Sequence, residues 1–385
     1  MGHTVVSGAQ SLGAQARPGW RAVVLTSVAA VAHRWQEIGR DGAYTPFQAR
    51  EWIEGWYKAA AKRGGISPVI VAVDAPDGRS AMVLPLALAT AGRRSVLAFA
   101  DGGGADYNAP LLGPGAPKTP AEMRQAWQAI KAVLPRADVI RFEKMPAEVE
   151  GRPNPLCWLP GTGLSVMTQA ACAISQPYEA ARARLMTARF RARLDASLAR
   201  LRKKADIRFG PAETEAEIAA LFDELMRQKD ARARVLGWES WLDDPVWRAF
   251  YREVALKGAS GGAARTLALW VNGDPAAIIL GFQKGERFCD IVASFDAGAW
   301  KSHSLGLLVQ DLAMAWMAER GVTIYDMTIG AEGYKDDFGP VFAPLYEYVA
   351  PGSLRGMADA AAARAKSALR LSPALTRLAK RLLRR

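Results

Sequence analysis

Apolar positions along this 385-residue chain recur with two periods, and the switches between them mark out the elements. VAAVAHRWQEIG and TPFQAREWIEGWYKAAAKRG place apolar residues every three or four positions, which predicts two helices between residues 28 and 64. PVIVAVDAPDGRSAMVLPLAL changes to short apolar runs around a turn, the form of a hairpin with Asp77-Gly78 at its tip. A strand (SVLAFAD), a Gly-rich loop (GGGADYNAPLLGPG), a helix (AEMRQAWQAIKAVL) and a strand (DVIRFEK) follow. Later the order returns. Two helices (TEAEIAALFDELMRQKDAR, PVWRAFYREVALKG) precede a second hairpin, TLALWVNGDPAAIILGFQKG, with Asn272-Gly273-Asp274 at its turn. A strand (RFCDIVASFD), a loop (AGAWKSHSLG), a helix (LLVQDLAMAWMAERG) and a strand (TIYDMTI) complete it.

The two hairpins match even in residue type, so an internal duplication explains the pattern better than chance recurrence of a common order. The fold expected is α+β, with two similar halves, each a mixed, mostly antiparallel sheet flanked by helices. The boundaries expected are a flexible N-terminus (1–19), a first half (20–150), a Pro/Gly-rich linker (151–170), a second half (171–350) and a tail (351–385). The second half opens with a basic helix over 178–205, carrying Leu185, Leu194, Leu198 and Leu201 on an apolar stripe. Its basic side reads either as a solvated face or as a wall of an anion-binding groove.

Composition narrows the chemistry. Apolar runs such as PVIVAV are far shorter than the roughly 20 residues of a membrane span, and no secretory signal is expected at MGHTVVSGAQ. Cys157, Cys172 and Cys289 form no CxxC pair and suit a reducing cytoplasm. With only His3, His33 and His303, no metal site is expected. The net charge is +12, but nine basic residues and one acid fall between Pro351 and Arg385, so +8 belongs to the tail and +4 to the rest. Specific DNA binding is therefore not expected. Within the tail, Leu375, Leu378, Leu382 and Leu383 follow helical spacing opposite Arg377, Lys380, Arg381, Arg384 and Arg385. Residues 372–385 thus have the form of a basic amphipathic helix for an anionic membrane surface. The alternatives are a helix docked on the protein or a disordered end. Its arginines could also hold a cyclic dinucleotide.

DIVASFDAGAWKSHSLGLLVQDLAMAWMAERG carries the clearest chemical signal. A strand passes through Lys301, Ser302, His303, Ser304 and Gly306 straight into a helix, whose first turn offers unpaired amides and a positive dipole end to a pyrophosphate. Acetyl-CoA-dependent N-acetyltransferases of the GNAT superfamily use this device with a Q/R-x-x-G-x-G/A loop, which Lys301 to Gly306 resembles loosely. An ordinary Ser-capped helix would read similarly. TPFQAREW, DGRSAMVLPL, GADYNAPLL, ARFRARL…LARLRKK and YDMTIGAEGYKDDFG occur in this order and together resemble GNAT proteins of cellulose and exopolysaccharide synthesis, the CelD/BcsL type. The resemblance spans roughly residues 20 to 350, and the last stretch is similar to the family pattern YD-x-T-x-G-x-E-x-YK-x-x-x-G. Where relatives often read S-P-G, this chain has Ser304-Leu305-Gly306. A more distant resemblance is to Fem-type peptidoglycan aminoacyltransferases, which have two GNAT-like halves.

The resemblance implies two tandem GNAT-like halves, acetyl-CoA as co-substrate, and a sugar or polysaccharide-precursor acceptor. It implies a cytoplasmic N- or O-acetyltransferase, peripheral at the membrane if the tail binds there. Ser294, Lys301, Ser302, Ser304, Leu305, Gly306 and Leu307 are then expected to hold the acyl-CoA. Lys335 is expected to stabilise the oxyanion or anchor an acceptor, and Tyr334 to act as general acid, against a surface lysine beside a packed tyrosine. Asp106 is a candidate base and His303 a second one; Tyr107, Asn108, Asp326 and Glu332 are expected near the acceptor. Trp52 and Trp56, four apart on one helix, read as a sugar-stacking pair or as core. The rival functions are a Fem-type transferase using aminoacyl-tRNA and a non-catalytic scaffold.

Overall fold

The computed structural model describes residues 19–237, 241–296, 298, 300–330, 332–362 and 365. The expectations for residues 1–18 and for the basic helix at 372–385 lie outside the described residues. The first part of the chain runs β1 (Arg21–Leu25), α1 (Ala32–Asp41), α2 (Arg50–Arg63), β2 (Ile66–Asp74), β3 (Ser80–Ala91), β4 (Arg94–Phe99) and β5 (Leu111–Leu112). It continues through α3 (Pro120–Val133), β6 (Val139–Pro146), the short pair β7 (Glu148–Val149) and β8 (Arg152–Pro153), and β9 (Thr162–Ala173). The second part runs α4 (Tyr178–Leu185), α5 (Ala188–Lys204), β10 (Ile207–Pro211), α6 (Glu215–Leu236), α7 (Pro245–Leu256), β11 (Ala264–Val271) and β12 (Asp274–Lys284). It closes with β13 (Arg287–Phe295), α8 (Leu305–Ala318), β14 (Ile324–Ile329) and β15 (Val341–Pro351).

One sheet runs through the molecule in the order β1-β2-β3-β4-β6-β15-β9-β14-β13-β12-β11-β10, with β5 on the side of β3. The duplication is visible in it. In each half four antiparallel strands lead to a parallel pair, β4 with β6 and β13 with β14, each held by only three registers. Each half's final strand is exchanged: β9 pairs with β14 of the second half, and β15 with β6 of the first. β9 and β15 then join antiparallel at the centre. Residues 162–170, expected in the linker, are therefore sheet. The hairpin turns follow their sequences. Asn272 and Gly273 have φ 55° and 89°, the pair of positive angles that an Asn-Gly turn between twisted strands requires.

Alternation along the strands makes two faces. Ile70, Ala72 and Val83 join Ile278, Leu280 and Phe282 in one core that spans both halves beneath α1, α2, α6 and α7. On the other face α3 covers the first half with Met123, Trp127 and Ile130. There α8 and α5 cover the second half with Leu308, Met314, Leu194 and Leu201. Trp52 and Trp56 are 1% and 2% exposed, in the shared core against Tyr251 and Trp247. They do not stack on a sugar. Burial of each contributes about 2–3 kcal/mol, which outweighs any surface role.

The basic helix expected over 178–205 is two helices broken at Met186-Thr187, where Thr187 Oγ1 caps α5 by accepting from the Phe190 amide at 3.2 Å. Its leucine stripe faces α8, and Arg189, Arg193, Arg200 and Arg202 point outward. α5 does not line the cavity at the start of α8, and its exposed arginines agree with the solvated face.

Candidate active site

β13 and β14 pair only from Arg287 to Cys289 and from Ile324 to Asp326, then splay apart. The register of β13 against β12 shifts beside Gly281, leaving Ile291 as an extra residue that turns the strand. The gap opens a cavity of about 860 Å³, walled by β13, α6, the first turn of α8, the end of β14 and the loop to Lys335.

At one end lies the start of α8. Ser304 sits in the left-handed region (φ 50°) and no side chain caps the helix. The amides of Leu307 and Leu308 return to the Ser304 carbonyl at 2.9 and 3.1 Å, whereas those of Leu305 and Gly306 belong to the turn that a helix leaves unsatisfied. A Cβ at Gly306 would come within 2.7 Å of the Phe295 ring, so glycine is what lets that ring close on the turn. The Arg232 guanidinium lies 4.6 Å from the same ring. Ser294, Lys301, Ser304, Leu305, Gly306 and Leu307 all line the cavity, as expected of an anion site. Ser302 does not; its hydroxyl meets His303 Nδ1 at 3.1 Å. His303 is 4% exposed, packed edge-on by Trp300, and its carbonyl accepts from Ser197 at 2.7 Å. It frames the helix start and does not reach the cavity, so it is not a base.

The matching helix of the first half is closed. Thr119 Oγ1 accepts from the Glu122 amide at 3.2 Å, and the Glu122 carboxylate accepts from the Lys118 amide at 2.6 Å. That cap occupies the Glu122 amide and sets a carboxylate at the helix start, which disfavours an anion there. Of these two matching helices, α8 alone starts without a side-chain cap.

The other end of the cavity holds Asp290, Thr328, Glu332, Tyr334 and Lys335. Asp290, on β13, accepts from Gln310 Nε2, and Gln310 Oε1 accepts from the Tyr325 hydroxyl at 2.9 Å. Burial pushes its carboxyl up to about 6, against that hydrogen bond and the charge of Lys335. Tyr334 is 38% exposed at the cavity mouth, and its phenol is raised above its usual value by partial desolvation first and then by the carboxylates of Asp290 and Glu332. Lys335 is 3% exposed, and its ammonium is taken up by the Ile329 carbonyl (2.8 Å), the Gly330 carbonyl (3.3 Å) and Glu332 (2.9 Å). All three donors being used, it fastens the loop and has none left for an oxyanion. Glu332 stands at the mouth as its partner.

The first-half residues reach the site from behind. Tyr107 Oη donates to Asp326 at 2.7 Å, and Arg287 pairs with the same carboxylate at 2.6 Å. Asp326 is fully buried and also accepts from the Thr328 amide at 2.8 Å. Asn108 is buried against Asp101 and the Glu143 carbonyl. The Tyr107–Asp326 bond joins the two halves, Asn108 fastens the first half's own loop, and none of the three lines the cavity. Asp106 lies against the Thr328 side chain, and burial pushes its carboxyl up to about 7. It supports the cavity wall through Thr328 and does not face the cavity.

Sequence reasoning passed over Asp290, Gln310 and Lys229, all on the cavity wall. The signal was present: Asp290 interrupts FCDIVASF and Gln310 interrupts LLVQDLAM, each a polar residue within an apolar run. Among the described residues no group of three or more His, Cys, Asp and Glu is placed to hold a metal ion.

Comparison with known proteins agrees with this geometry. Residues 188–336 match the family model described as an acetyltransferase (GNAT) domain. They contain the cavity, its uncapped helix and both Asp290 and Tyr334. Among solved structures, FemX is 12% identical with a TM-score of 0.57, covering 83% of this chain and 96% of FemX. The C-terminal domain of a putative lysylphosphatidylglycerol synthetase from Agrobacterium fabrum is 14% identical with a TM-score of 0.52, covering 89% of this chain and 97% of that one. A conserved protein from Bacteroides thetaiotaomicron VPI-5482 is 14% identical with a TM-score of 0.53, covering 85% and 98%. At such identities the likeness is one of fold. No curated protein sequence matches the chain. The fold is thus α+β with GNAT-like halves, and residues 188–336 of the second half match a GNAT acetyltransferase domain.

Proposed function

We propose that the chain is an acyl-CoA-dependent acetyltransferase acting on a sugar or polysaccharide precursor of an extracellular polysaccharide or adhesin. The observation that carries the transfer chemistry is the open start of α8 on the cavity, where its counterpart α3 is capped. α8 presents unpaired amides to a cavity whose other end holds Asp290 and Tyr334, and α3 does not. The acceptor class rests on the sequence resemblance to the exopolysaccharide-associated GNAT proteins.

The residues present fit an acyl-CoA. The Leu305 and Gly306 amides, with Lys301 and Arg232 on the same wall, would hold its pyrophosphate. Bound there, the carrier supplies an activated thioester. Asp290 Oδ1 is the site for the proton that the acceptor gives up, because Oδ2 is engaged by Gln310. A carboxyl near 6 is mostly ionised at neutral pH and basic enough to take that proton. Tyr334, whose phenol stays protonated, is the donor toward the departing sulfur. Val292, Met327 and Ile329 make the apolar wall that keeps water from the centre. The cysteines take no part: none lines the cavity, and burial pushes the Cys157 and Cys172 thiols up to about 12.

Calorimetric titration with acetyl-CoA and with an aminoacyl-tRNA separates this reading from a Fem-type one. Heat with acetyl-CoA and none with tRNA is expected, and the reverse replaces the acyl-CoA reading. The acetyl content of extracellular polysaccharide, by mass spectrometry, separates enzyme from scaffold: Asp290→Asn lowers it only if the protein is catalytic. The tail is proposed to bring the protein to an anionic membrane face, checked by vesicle sedimentation with and without residues 351–385. Calorimetry with cyclic dinucleotides checks the nucleotide alternative for the same segment.

A further inference from the structure

The acyl-transfer reading assigns a site to the donor and leaves one cation on the cavity wall without a task. α6 turns Gln228, Lys229 and Arg232 toward the cavity. Gln228 is fully used: its oxygen accepts from Ser294 at 2.8 Å, and its amide donates to Glu224 and to the Pro275 carbonyl, both at 2.8 Å. Arg232 lies over Phe295, whose ring closes on Gly306, and so stands at the donor's phosphate end. Lys229, one helical turn earlier, stands toward Asp290, whose charge it feels. It is half-buried, and among the described residues no group hydrogen-bonds or ion-pairs with its ammonium.

The acids around it are committed elsewhere. Asp230 is held by both Arg248 nitrogens at 3.0 and 2.9 Å, and Asp243 lies 3.9 Å from the same guanidinium. Asp290 gives one oxygen to Gln310 and keeps the other for the acceptor's proton. Burial first, and then the positive charge of Arg232, push the Lys229 ammonium below its ordinary range. A lysine carries three donors and no acceptor, and holding it charged in a part-buried site is unfavourable until an anion arrives. The donor's phosphates have the start of α8 and Lys301, across the cavity.

We infer that the acceptor carries its own negative charge, a phosphate or a carboxylate, and that Lys229 binds it while Asp290 faces the nucleophile. The inference rests on the acyl-CoA reading and names the acceptor class for that site. A neutral sugar would leave the ammonium unpaired; an acidic one supplies the missing counter-charge within reach of the base.

The test uses the full chain loaded with CoA, titrated calorimetrically with glucosamine, glucosamine 6-phosphate and muramic acid. The CoA titration comes first, and failure of CoA to bind sinks the acyl-CoA reading itself. With CoA bound, at least one acidic amine should bind about tenfold or more tightly than glucosamine. The phosphate and carboxylate arms say which group is meant. Lys229→Met should remove that preference and leave CoA affinity unchanged, while Lys229→Arg, which keeps the charge, should retain most of it. Binding of neither acid, equal binding of glucosamine, or a Lys229→Met variant that loses CoA affinity instead would each overturn the inference and leave the donor assignment standing.

Discussion

Asp290→Asn removes one charge from the cavity wall and leaves the shape nearly unchanged, since the asparagine oxygen can still accept from Gln310. The wild-type carboxyl is raised from 3.8 to about 6, chiefly by burial. In the unfolded chain it ionises at the ordinary value, so the folded protein holds this proton more tightly. The stabilising neutral form is fully available below about pH 4 and is lost as pH rises through about 6, a cost to the folded state of about 3 kcal/mol at neutral pH. Asparagine does not titrate. The variant should therefore be more stable than wild type at pH 8, by up to about 3 kcal/mol, and nearly equal to it at pH 4. Transfer should fall by about 100-fold or more, the usual contribution of a positioned base. Wild-type transfer should itself rise with pH, half-developed near 6. Urea unfolding at both pH values gives the first result, and CoA release followed with a thiol reagent gives the second. An Asp290→Asn protein that is less stable at pH 8 yet still active refutes the reasoning, because the buried carboxyl would then be structural.

Tyr334→Phe should lower kcat by about 100-fold with acetyl-CoA affinity unchanged, read by CoA release against calorimetry, since only the proton donor is lost. Lys335→Met should cost about 2–3 kcal/mol in urea unfolding by stranding the Ile329 and Gly330 carbonyls. Glu332→Gln, at a pair whose carboxylate side chain is 57% exposed, should cost less than about 1 kcal/mol. Ending the chain after Gly339 removes β15 from between β6 and β9 and bares two strand edges. That protein should aggregate or lose cooperative unfolding by circular dichroism and size exclusion, whereas ending it after residue 365 should not.

The elements legible in the sequence were those whose evidence is local. Both hairpins announce themselves by turn residues, and α3, α6 and α8 by period. β1, β9, β10 and β15 were not foreseen, because what makes them strands is a partner far away in the chain. VFAPLYEYVAP contains Pro344 and Pro351 and reads as loop, yet β6 and β9 pair with it on both sides. β9 alternates weakly, with Val166 67% exposed. The site divided in the same way. The open start of α8 followed from Ser304 and Gly306, and Tyr334 from its motif. Lys335 was misread because its carbonyl partners come from the loop's path. Trp52 and Trp56 could have served either role from spacing alone; only the docking of α2 on α7 decides.

The duplicated halves explain why only one of them is open. β6 and β14 carry the same bulge: Glu143 and Lys144 fall between the pairs Phe142–Tyr348 and Met145–Tyr346, as Met327 and Thr328 fall between Asp326–Ala171 and Ile329–Gln169. In each the second residue is left-handed, Lys144 at φ 58° and Thr328 at φ 57°. In the first half the lysine runs into the splay, bonding the Ala105 carbonyl at 2.6 Å and Asp101 at 2.9 Å, while the Asn108 amide pairs with its own carbonyl at 3.0 Å. The Gly-rich loop is thereby laid along β6 and the splay is filled. In the second half threonine is too short to do this, and its hydroxyl donates to the Asp290 carbonyl at 3.0 Å instead. A β-branched residue in that conformation costs about 1–3 kcal/mol and persists only where its surroundings fix it. Here Asp326 fixes it by accepting the Thr328 amide, and Tyr107 and Arg287 fix Asp326 in turn. The closed half thus supplies the brace that holds the strained turn beside Asp290, which is why residues expected to meet the acceptor are found buried behind the wall it touches.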